Sequence, residues 1–394
     1  MIILQNSLFF KLVLHRLPEV GAATYAKLLH HFGTAETVLM QPANDLEKFL
    51  TANALSAIAE FQHDHETSTI GQKALMDLDW LNGQANSAVI TYEDPRYPAL
   101  LQQIPKPPPL LFVRGDVTCL SLPQIAIVGS RNPSSGGLEN AQRFAQYLSG
   151  NGFVITSGLA AGIDAAAHEG ALMVQGKTIA IMGTGIDKVY PAPHRELAQR
   201  IMDNGGTLVS EFPLGTGAQA ANFPQRNRII SGLSYGVLVV EAAVKSGSLI
   251  TAKIALQQDR EVFAIPGSIH NPLARGCHQL IRQGATLVET GSDIVEQLDG
   301  MLSYQRQELL DFQKSKKPSQ PRENTTPKPQ LVKQSLEELS VSEQQLMEAI
   351  GFDPVSIDEL VERTGHAIGL LMGQLVGLEI KGFIQQLGAT YQRV

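Results

Sequence analysis

Residues 124–137 read QIAIVGSRNPSSGG, in which a short apolar run ends at a glycine and a polar, glycine-rich loop follows. The next segment, LENAQRFAQYLSG at residues 138–150, has apolar residues at the three- and four-residue spacing of an amphipathic helix. A buried strand, a loop and a helix in this order begin a strand–helix–strand unit. The stretch therefore predicts a parallel sheet.

Later apolar runs repeat this pattern, each bounded by glycine and separated from the next by segments of helical periodicity. Such continuous apolar strands predict a sheet that is covered by helices on both faces. The ligand site of this kind of sheet lies at the carboxyl ends of its strands, where the chain carries GSR, SGL, GTG and PGS. The later runs are residues 152–158, 178–185, 206–212, 236–242, 261–267 and 285–290.

The composition is that of an ordinary globular protein of two or three domains. The chain has 394 residues, of which 43% are hydrophobic and 18% are charged. Its formal net charge is −7 and its pI is near 5.8, which argues against a protein coated in basic residues. A nucleic-acid site would therefore have to be confined to one patch.

Two features of the chain indicate the cytoplasm. Cys119 and Cys277 are the only cysteines, too few for a disulfide framework or a cysteine-rich zinc site, and this fits a reducing compartment. The N-terminal stretch MIILQNSLFFKLVLHRL has no basic leading segment and is interrupted by Asn6, Ser7 and Lys11. It is therefore interpreted as a buried helix rather than a signal peptide or a membrane anchor.

The organisation of the chain changes three times. Residues 1–85 are predicted to be helical, and LPEVGAATYAKLLHHFG within them has the spacing of a helix-hairpin-helix, which either binds DNA phosphates or, as we favour, only packs. Residues 86–300 hold the sheet, and residues 301–335 are predicted to be a flexible linker. Residues 336–394 have the plan of a winged helix whose third helix contains one lysine and no arginine, which favours protein contacts over base recognition.

Two sequences resemble nucleotide-binding motifs but fail in spacing or context. GALMVQGKT, residues 170–178, has five residues between its glycines where a Walker loop has four, and it precedes a strand. GTGIDK, residues 183–188, lacks the third glycine of the dinucleotide fingerprint and does not follow the first strand of the sheet. No nicotinamide or other cofactor is therefore expected.

Two loops at strand ends have the composition of anion sites. In VGSRNPSSGG, residues 128–137, serine hydroxyls, glycine amides and Arg131 come just before a helix whose first N–H groups can bind an anion. In the second loop the sequence KSGS, residues 245–248, precedes another helix. Two such loops predict more than one bound phosphate, although an ordinary turn with Arg131 in solvent explains the first loop equally well.

The stretch NFPQRNRIISG places an aromatic side chain and two arginines near the same edge of the sheet. Guanidinium groups bind phosphates, and an exposed phenylalanine offers a face for a stacked base, a contact worth ~1–3 kcal/mol. Phe223, Arg226 and Arg228 therefore suggest a groove for single-stranded nucleic acid. The alternative keeps the phenylalanine in the core and pairs the arginines with Glu211 or Glu241.

Asp164 and His168 are four residues apart in GLAAGIDAAAHEGAL and would share one helix face, as a base and its orienting carboxylate do. No nucleophile is identifiable beside them, and the HExxH and Asp-rich metal patterns are absent from the sequence. A structural or interface role is favoured for the pair, with a hydrolytic role as the minority interpretation.

Eight motifs follow one another between about Tyr97 and Val288: PPPLLFVRGD, IAIVGSRNPSSGG, VITSGLAAGIDAAAHEGAL, TIAIMGTGIDKVYP, LVSEFPLG, NFPQRNRIISGLS, VLVVEAAVKSGSLITAKIA and VFAIPGSIHNPLARGCHQLIRQGA. In this order they resemble the DNA-processing protein A family, also called DprA or Smf. The resemblance implies an extended Rossmann-like α/β core with a parallel sheet. It also implies a SAM-like helical domain before the core and a winged-helix domain after it.

The resemblance further implies a bacterial, cytoplasmic recombination mediator that is not an enzyme. Members of the family bind and protect the single-stranded DNA that enters a cell in natural transformation, help to load the recombinase RecA onto it, and work as homodimers through the Rossmann-like core. Together with the loops above, the resemblance gives a set of candidate DNA-binding residues. They are Gly129, Ser130, Arg131, Ser157, Gly158, Phe223, Arg226, Asn227, Arg228, Lys245, Ser246, Gly247 and Ser248.

The competing hypothesis is a protein that binds or hydrolyses a small nucleotide. The fold also resembles the superfamily that contains cytokinin-activating nucleoside phosphate hydrolases, which carry PGGxGTxxE at the loop that reads EAAVKSGSLIT here. The paired glycines and the following glutamate are missing from this loop. Their absence from the loop argues against hydrolysis.

Overall fold

A computed structural model of the chain describes residues 7–299, 340–350, 355–387 and 390–393. The chain divides into two compact units, residues 1–317 and 318–394. The linker predicted at residues 301–335 lies outside the described residues, and the predicted domain boundaries stay predictions.

The first unit contains all the elements that surround the predicted site. Its helices are α1 (Ser7–His15), α2 (Ala22–Phe32), α3 (Ala35–Leu39), α4 (Ala43–Leu46), α5 (Ala52–His63), α6 (Thr69–Gly83), α7 (Ala99–Gln102), α8 (Ser135–Gly150), α9 (Ile163–Met173), α10 (Arg195–Asp203), α11 (Asn222–Leu233), α12 (Gly247–Gln257) and α13 (Arg275–Arg282). Its strands are β1 (Ser87–Thr91), β2 (Leu110–Gly115), β3 (Gln124–Val128), β4 (Val154–Ser157), β5 (Thr178–Ile181), β6 (Thr207–Ser210), β7 (Gly236–Val239), β8 (Glu261–Ala264) and β9 (Thr286–Leu287). Residues 291–299 are also helical.

Helices α1–α6 pack around aromatic side chains and are fixed by a buried ion pair. The rings of Phe9 and Phe61, both fully buried, have their centroids 6.0 Å apart. Arg16, just after α1, donates to both carboxylate oxygens of Asp77 at 2.5 Å and to the carbonyl oxygen of Leu214 at 3.2 Å. The bond to Leu214 ties the helical segment to the loop that follows β6.

The strands form one nine-stranded sheet in the order β1-β2-β6-β5-β4-β3-β7-β8-β9. Every neighbouring pair from β6 to β9 in this order is parallel, which confirms the predicted sheet. The strands β3 to β7 are buried along their whole length because helices cover both faces, as their continuous apolar sequences predict. Two strands at one edge, β1 and β2, extend the sheet in antiparallel fashion beyond β6.

The strand order reverses between β3 and β7. From β3 the chain proceeds to β4, β5 and β6 on one side, and it returns to β7, β8 and β9 on the other. The loops that leave β3 and β7 at their carboxyl ends therefore diverge and leave a crevice between them. This is the topological switch point at which open α/β sheets bind ligands.

The second unit is a winged helix, as predicted. Its helices are Val341–Ile350, Ile357–Thr364 and Ile368–Ile380, and its strands Val355–Ser356, Ile384–Leu387 and Thr390–Arg393 form an antiparallel three-stranded sheet. The second helix begins with a capping box in which Ser356 and Glu359 satisfy each other's backbone N–H groups. Leu360, Leu371 and Leu375 are fully buried between the helices. Within the described ranges, no helix of either unit is long and apolar enough to cross a membrane.

Candidate nucleic-acid interface

A cleft of about 740 Å³ opens at the switch point, between the loop after β3, the loop after β7 and the first turn of α11. Its lining brings together most of the candidate residues from the sequence, namely Gly129, Ser130, Arg131, Phe223, Arg226, Asn227, Lys245, Ser246, Gly247 and Ser248. The remaining candidates, Ser157, Gly158 and Arg228, do not line it. Ser157 is fully buried and donates to the carbonyl oxygen of Ile127 at 2.6 Å.

The loop after β3 presents Arg131 at the mouth of the cleft. Ser134 ends the loop as the N-cap of α8, because its Oγ accepts a hydrogen bond from the N–H of Gly137 at 3.0 Å. Gly129 has no room for a side chain, since a Cβ there would lie 2.6 Å from Ile163. Arg131 is exposed, and its guanidinium carbon lies 5.7 Å from the centre of the Phe223 ring. The loop thus places a cation beside an aromatic face.

The loop after β7 provides the second exposed cation. Ser246 caps α12 by accepting from the N–H of Ser248 at 3.3 Å, and the two hydroxyl oxygens are 2.7 Å apart. Lys245, next to this cap, is exposed. Neither Lys245 nor Arg131 forms an ion pair with any residue that the structure describes. Both charges are therefore available to an anionic ligand.

The NFPQRNR stretch forms the first two turns of α11. Pro224 lies in the first turn, where its missing N–H costs no helical hydrogen bond. The Phe223 ring is half-buried and packs on Gly183, where a Cβ would lie 2.8 Å from the ring. Tyr190 lies beside it, with ring centroids 5.6 Å apart and planes inclined by 45°. The tyrosine is 51% exposed and lines the cleft.

Arg226, whose guanidinium carbon is 6.0 Å from the centre of the Phe223 ring, is buried. Its Nη1 donates to the carbonyl oxygen of Gly158 at 2.6 Å and also to that of Ile181. Gly158 has no space for a side chain, because a Cβ there would lie 2.5 Å from the guanidinium. Burial lowers the pKa of Arg226 to about 10, and Asp164 counteracts this effect. Arg226 is therefore charged at neutral pH, and this donor is engaged by the protein's own backbone.

Arg228 pairs with Glu211, which is the arrangement that the alternative interpretation of the sequence predicts. Its Nη2 donates to Oε2 of Glu211, and the two side chains are 13% and 5% exposed. Burial raises the pKa of Glu211 to about 7, and Arg228 opposes the rise. Arg228 therefore takes part in a nearly buried ion pair outside the lining of the cleft.

Asp164 and His168 are both buried, and they are not bonded to each other. The Asp164 carboxylate accepts from the N–H groups of Gly158 at 3.1 Å and Ala160 at 3.4 Å, and burial raises its pKa. Nδ1 of His168 lies 2.7 Å from Oγ1 of Thr178, and burial lowers the pKa of the imidazole to about 3. Each side chain thus fixes its own part of the sheet edge, which favours the structural role.

Tyr190 is the lining residue with evident chemistry that the sequence did not single out. The motif TIAIMGTGIDKVYP contains it, nine residues after the end of β5 at Ile181. Only the fold brings this loop against α11, so no local pattern could have identified the pairing of Tyr190 with Phe223.

Comparisons with known proteins agree with this architecture. The chain is 41% identical over 317 residues to Protein Smf of Escherichia coli, a match that covers 80% of each chain. It is 46% identical over 206 residues to the DNA processing protein DprA of Streptococcus pneumoniae, covering 52% of this chain and 72% of that one. The X-ray structure of the Streptococcus pneumoniae DNA processing protein A superposes with a TM-score of 0.57 and 34% identity, covering 73% of this chain and 97% of that chain.

Two family models also match. The model described as DprA winged helix domain matches residues 327–389, and that of DNA recombination-mediator protein A matches residues 88–299, which include the whole cleft. The two matched segments together contain the cleft, most of the sheet and most of the winged helix. The chain belongs to the DNA recombination-mediator protein A family.

Proposed function

We propose that the chain binds single-stranded DNA in the cleft between β3 and β7. The observation that carries the proposal is the meeting of two exposed cations, Arg131 and Lys245, with two aromatic faces, Phe223 and Tyr190, on one crevice. Cations neutralise backbone phosphates, and exposed rings stack on bases that are not already stacked in a duplex. A single strand is therefore favoured over a double strand.

The buried arginines have a different part in this proposal. Arg226 holds α11 against the ends of β4 and β5, and Arg228 holds it against the end of β6 through Glu211. Both would act on DNA through the position of Phe223 rather than through a phosphate. The binding energy would then come from cations and rings at the surface, with little dependence on base sequence.

Replacing Arg131 by alanine is expected to flatten the dependence of affinity on salt. Each phosphate contact with a single strand contributes about 0.7 to the slope of log affinity against log salt, so the variant should lose roughly that amount. The measurement is fluorescence anisotropy of a labelled oligo-dT over a series of salt concentrations. Arg143→Ala, which removes an exposed arginine paired with Glu139 on α8, is the control and should keep the wild-type slope. An unchanged slope in the Arg131 variant would contradict the proposal.

Replacing Tyr190 by alanine is expected to weaken oligo-dT binding by about 1–3 kcal/mol, because a stacking face is lost. Tyr190→Phe keeps the ring and should bind within about twofold of the wild type if stacking is the main contribution. Phe223→Ala should resemble Tyr190→Ala, and both should leave the salt dependence nearly unchanged. Equal losses in the alanine and phenylalanine variants would instead assign the effect to the tyrosine hydroxyl.

The wider role that we propose is that of a cytoplasmic recombination mediator, without catalytic activity, that protects incoming DNA in natural transformation. The recombinase RecA and a second copy of the chain are its proposed partners. Leu287, in the two-residue strand β9 at one edge of the sheet, is 46% exposed, and a second copy packed on this edge would bury its apolar side chain. On the third helix of the winged helix Ile368, Leu370 and Met372 are exposed, which supports the expectation that this unit contacts protein.

A further inference from the structure

Glu241 is a buried carboxylate at the switch point, two residues after the end of β7, and it is 7% exposed. Its Oε2 accepts from the N–H of Ser134 at 2.9 Å, and its Oε1 accepts from the Ser134 hydroxyl at 2.6 Å. The side-chain amide of Asn271 donates to Oε1 at 3.3 Å. The carboxylate is thus held from two sides, by the N-cap of α8 and by the loop after β8.

The contact with α8 is close because Gly137 has no side chain. A Cβ at this glycine, in the first turn of the helix, would lie 2.5 Å from the carboxyl group of Glu241. The hydroxyl oxygen of Ser134 accepts from the N–H of Gly137, and the same hydroxyl group donates its hydrogen to Oε1 of Glu241. The negative charge therefore lies at the positive end of the α8 dipole, with donors aimed at it.

In Rossmann-like sheets this position receives a ligand. The first helix after the switch-point strand usually has its N-terminus against a phosphate, and glycine in its first turn allows the phosphate to approach. The chain here has the helix, the glycine and the donors, but its own carboxylate fills the position. A nucleoside phosphate that approached the start of α8 would meet this buried negative charge, although Glu241 is not among the residues that line the cleft.

We infer that Glu241 is a specificity-determining residue, a built-in anion that takes the place of a ligand phosphate at the start of α8. The start of α8 then cannot take a nucleoside phosphate, and the exposed cations Arg131 and Lys245, which line the cleft, accept the backbone of a DNA strand instead. The inference rests on the proposed function and narrows the proposed ligand from nucleotides in general to a DNA strand. Through Ser134 the same carboxylate also fixes the loop that carries Arg131.

The test removes the Glu241 carboxylate and measures whether a small anion binds in its place. Glu241→Ala leaves the Ser134 donors and the end of α8 without a partner, so thymidine 5′-phosphate and inorganic phosphate should bind at least about tenfold more tightly than to the wild type. Glu241→Gln removes the charge but keeps the volume, and it should show no such gain. Binding is measured by calorimetry and by the shift of the melting temperature with phosphate concentration.

The control is a second carboxylate at a helix N-terminus outside the cleft. Glu60 accepts from the N–H of Thr69 at 2.7 Å and from its hydroxyl at 2.9 Å, at the start of α6. Glu60→Ala should gain no affinity for phosphate, because the gain depends on a buried pocket. If Glu241→Ala does not fold without ligand, Glu241→Ser leaves nearly the same space and supplies a hydroxyl, and phosphate should then raise its melting temperature more than that of the wild type.

A folded Glu241→Ala or Glu241→Ser variant that gains no affinity for either anion would overturn the inference, as would an equal gain in Glu60→Ala. The proposed function has a separate readout, the binding of oligo-dT by the wild type. If the wild type does not bind oligo-dT, the DNA proposal fails whatever the glutamate variants do. If it binds and the glutamate variants gain nothing, only the role of Glu241 fails.

Discussion

Replacing Arg226 by alanine is expected to lower the free energy of unfolding by about 3–5 kcal/mol, as is usual when one charge of a compensated buried group is removed. The substitution leaves two carbonyl oxygens, those of Gly158 and Ile181, without the donor that they share. It also removes a cation that offsets the buried Asp164 and opens a cavity beside Phe223. Urea denaturation at about pH 7 measures the loss through the midpoint at constant slope.

Arg131→Ala is the matched control, because this arginine faces the same cleft but is exposed and forms no ion pair with a described residue. Its effect on stability should stay within about 0.5 kcal/mol, while its effect on DNA binding should be direct. The prediction would be contradicted by an Arg226→Ala variant that has the same urea midpoint as the wild type and has lost only DNA binding. Arg226 would then have to leave its buried position and contact DNA.

This difference between the arginines bears on how DNA binding is located. A double variant of Arg226 and Arg228 removes the anchors of α11 on β4, β5 and β6, so it would lose binding even if neither side chain touched a phosphate. Substitutions of Arg131, Lys245, Phe223 and Tyr190 test the side chains that would contact DNA. Substitutions of Arg226 and Arg228 test the buried contacts that hold α11 in position.

The parallel sheet could be predicted because its signals are local. Each of the strands β3 to β8 is a short apolar run next to glycine, and each of these signals lies within a few residues of the strand. The antiparallel strand β1, Ser87–Thr91, was not predicted, because its pairing with β2 lies some twenty residues away and its sequence is only partly buried. No local sequence pattern could indicate strand β1 or its pairing with β2.

The loops that border the cleft could be predicted from the sequence, but the burial of the residues behind them could not. Arg131 and the 245–248 loop follow strands directly, so their place at the sheet edge follows from the topology. Arginine is seldom buried, and the burial of Arg226 depends on a missing side chain at Gly158, far away in sequence. The role of Glu241 depends in the same way on Gly137 and could only be read from the folded chain.

Replacing Arg228 by alanine is expected to destabilise the protein by an amount that depends on pH. The Glu211 carboxylate, 5% exposed, would lose its cation and carry an uncompensated buried charge at pH values where it is ionised. Its pKa is already raised from 4.5 to about 7 by burial, and loss of the arginine raises it further. Urea denaturation at about pH 5 and at about pH 8.5 should therefore give a small loss at the acidic pH and a loss of up to about 2 kcal/mol at the basic pH, because each pH unit above the wild-type pKa of about 7 contributes about 1.4 kcal/mol.

The sign of this pH dependence follows from whether the folded or the unfolded state binds the proton of Glu211 more tightly. Between the unfolded pKa of 4.5 and the raised folded pKa, the folded variant binds more protons than the unfolded chain, so its stability falls as the pH rises through this window. Adding Glu211→Gln to Arg228→Ala should abolish the pH dependence and restore part of the stability. Arg200→Ala, which breaks an exposed pair with Glu169, should cost less than about 1 kcal/mol at either pH. An Arg228→Ala variant with the same loss at both pH values would show that Glu211 does not hold the buried charge, and the ion pair would then contribute to stability mainly through packing.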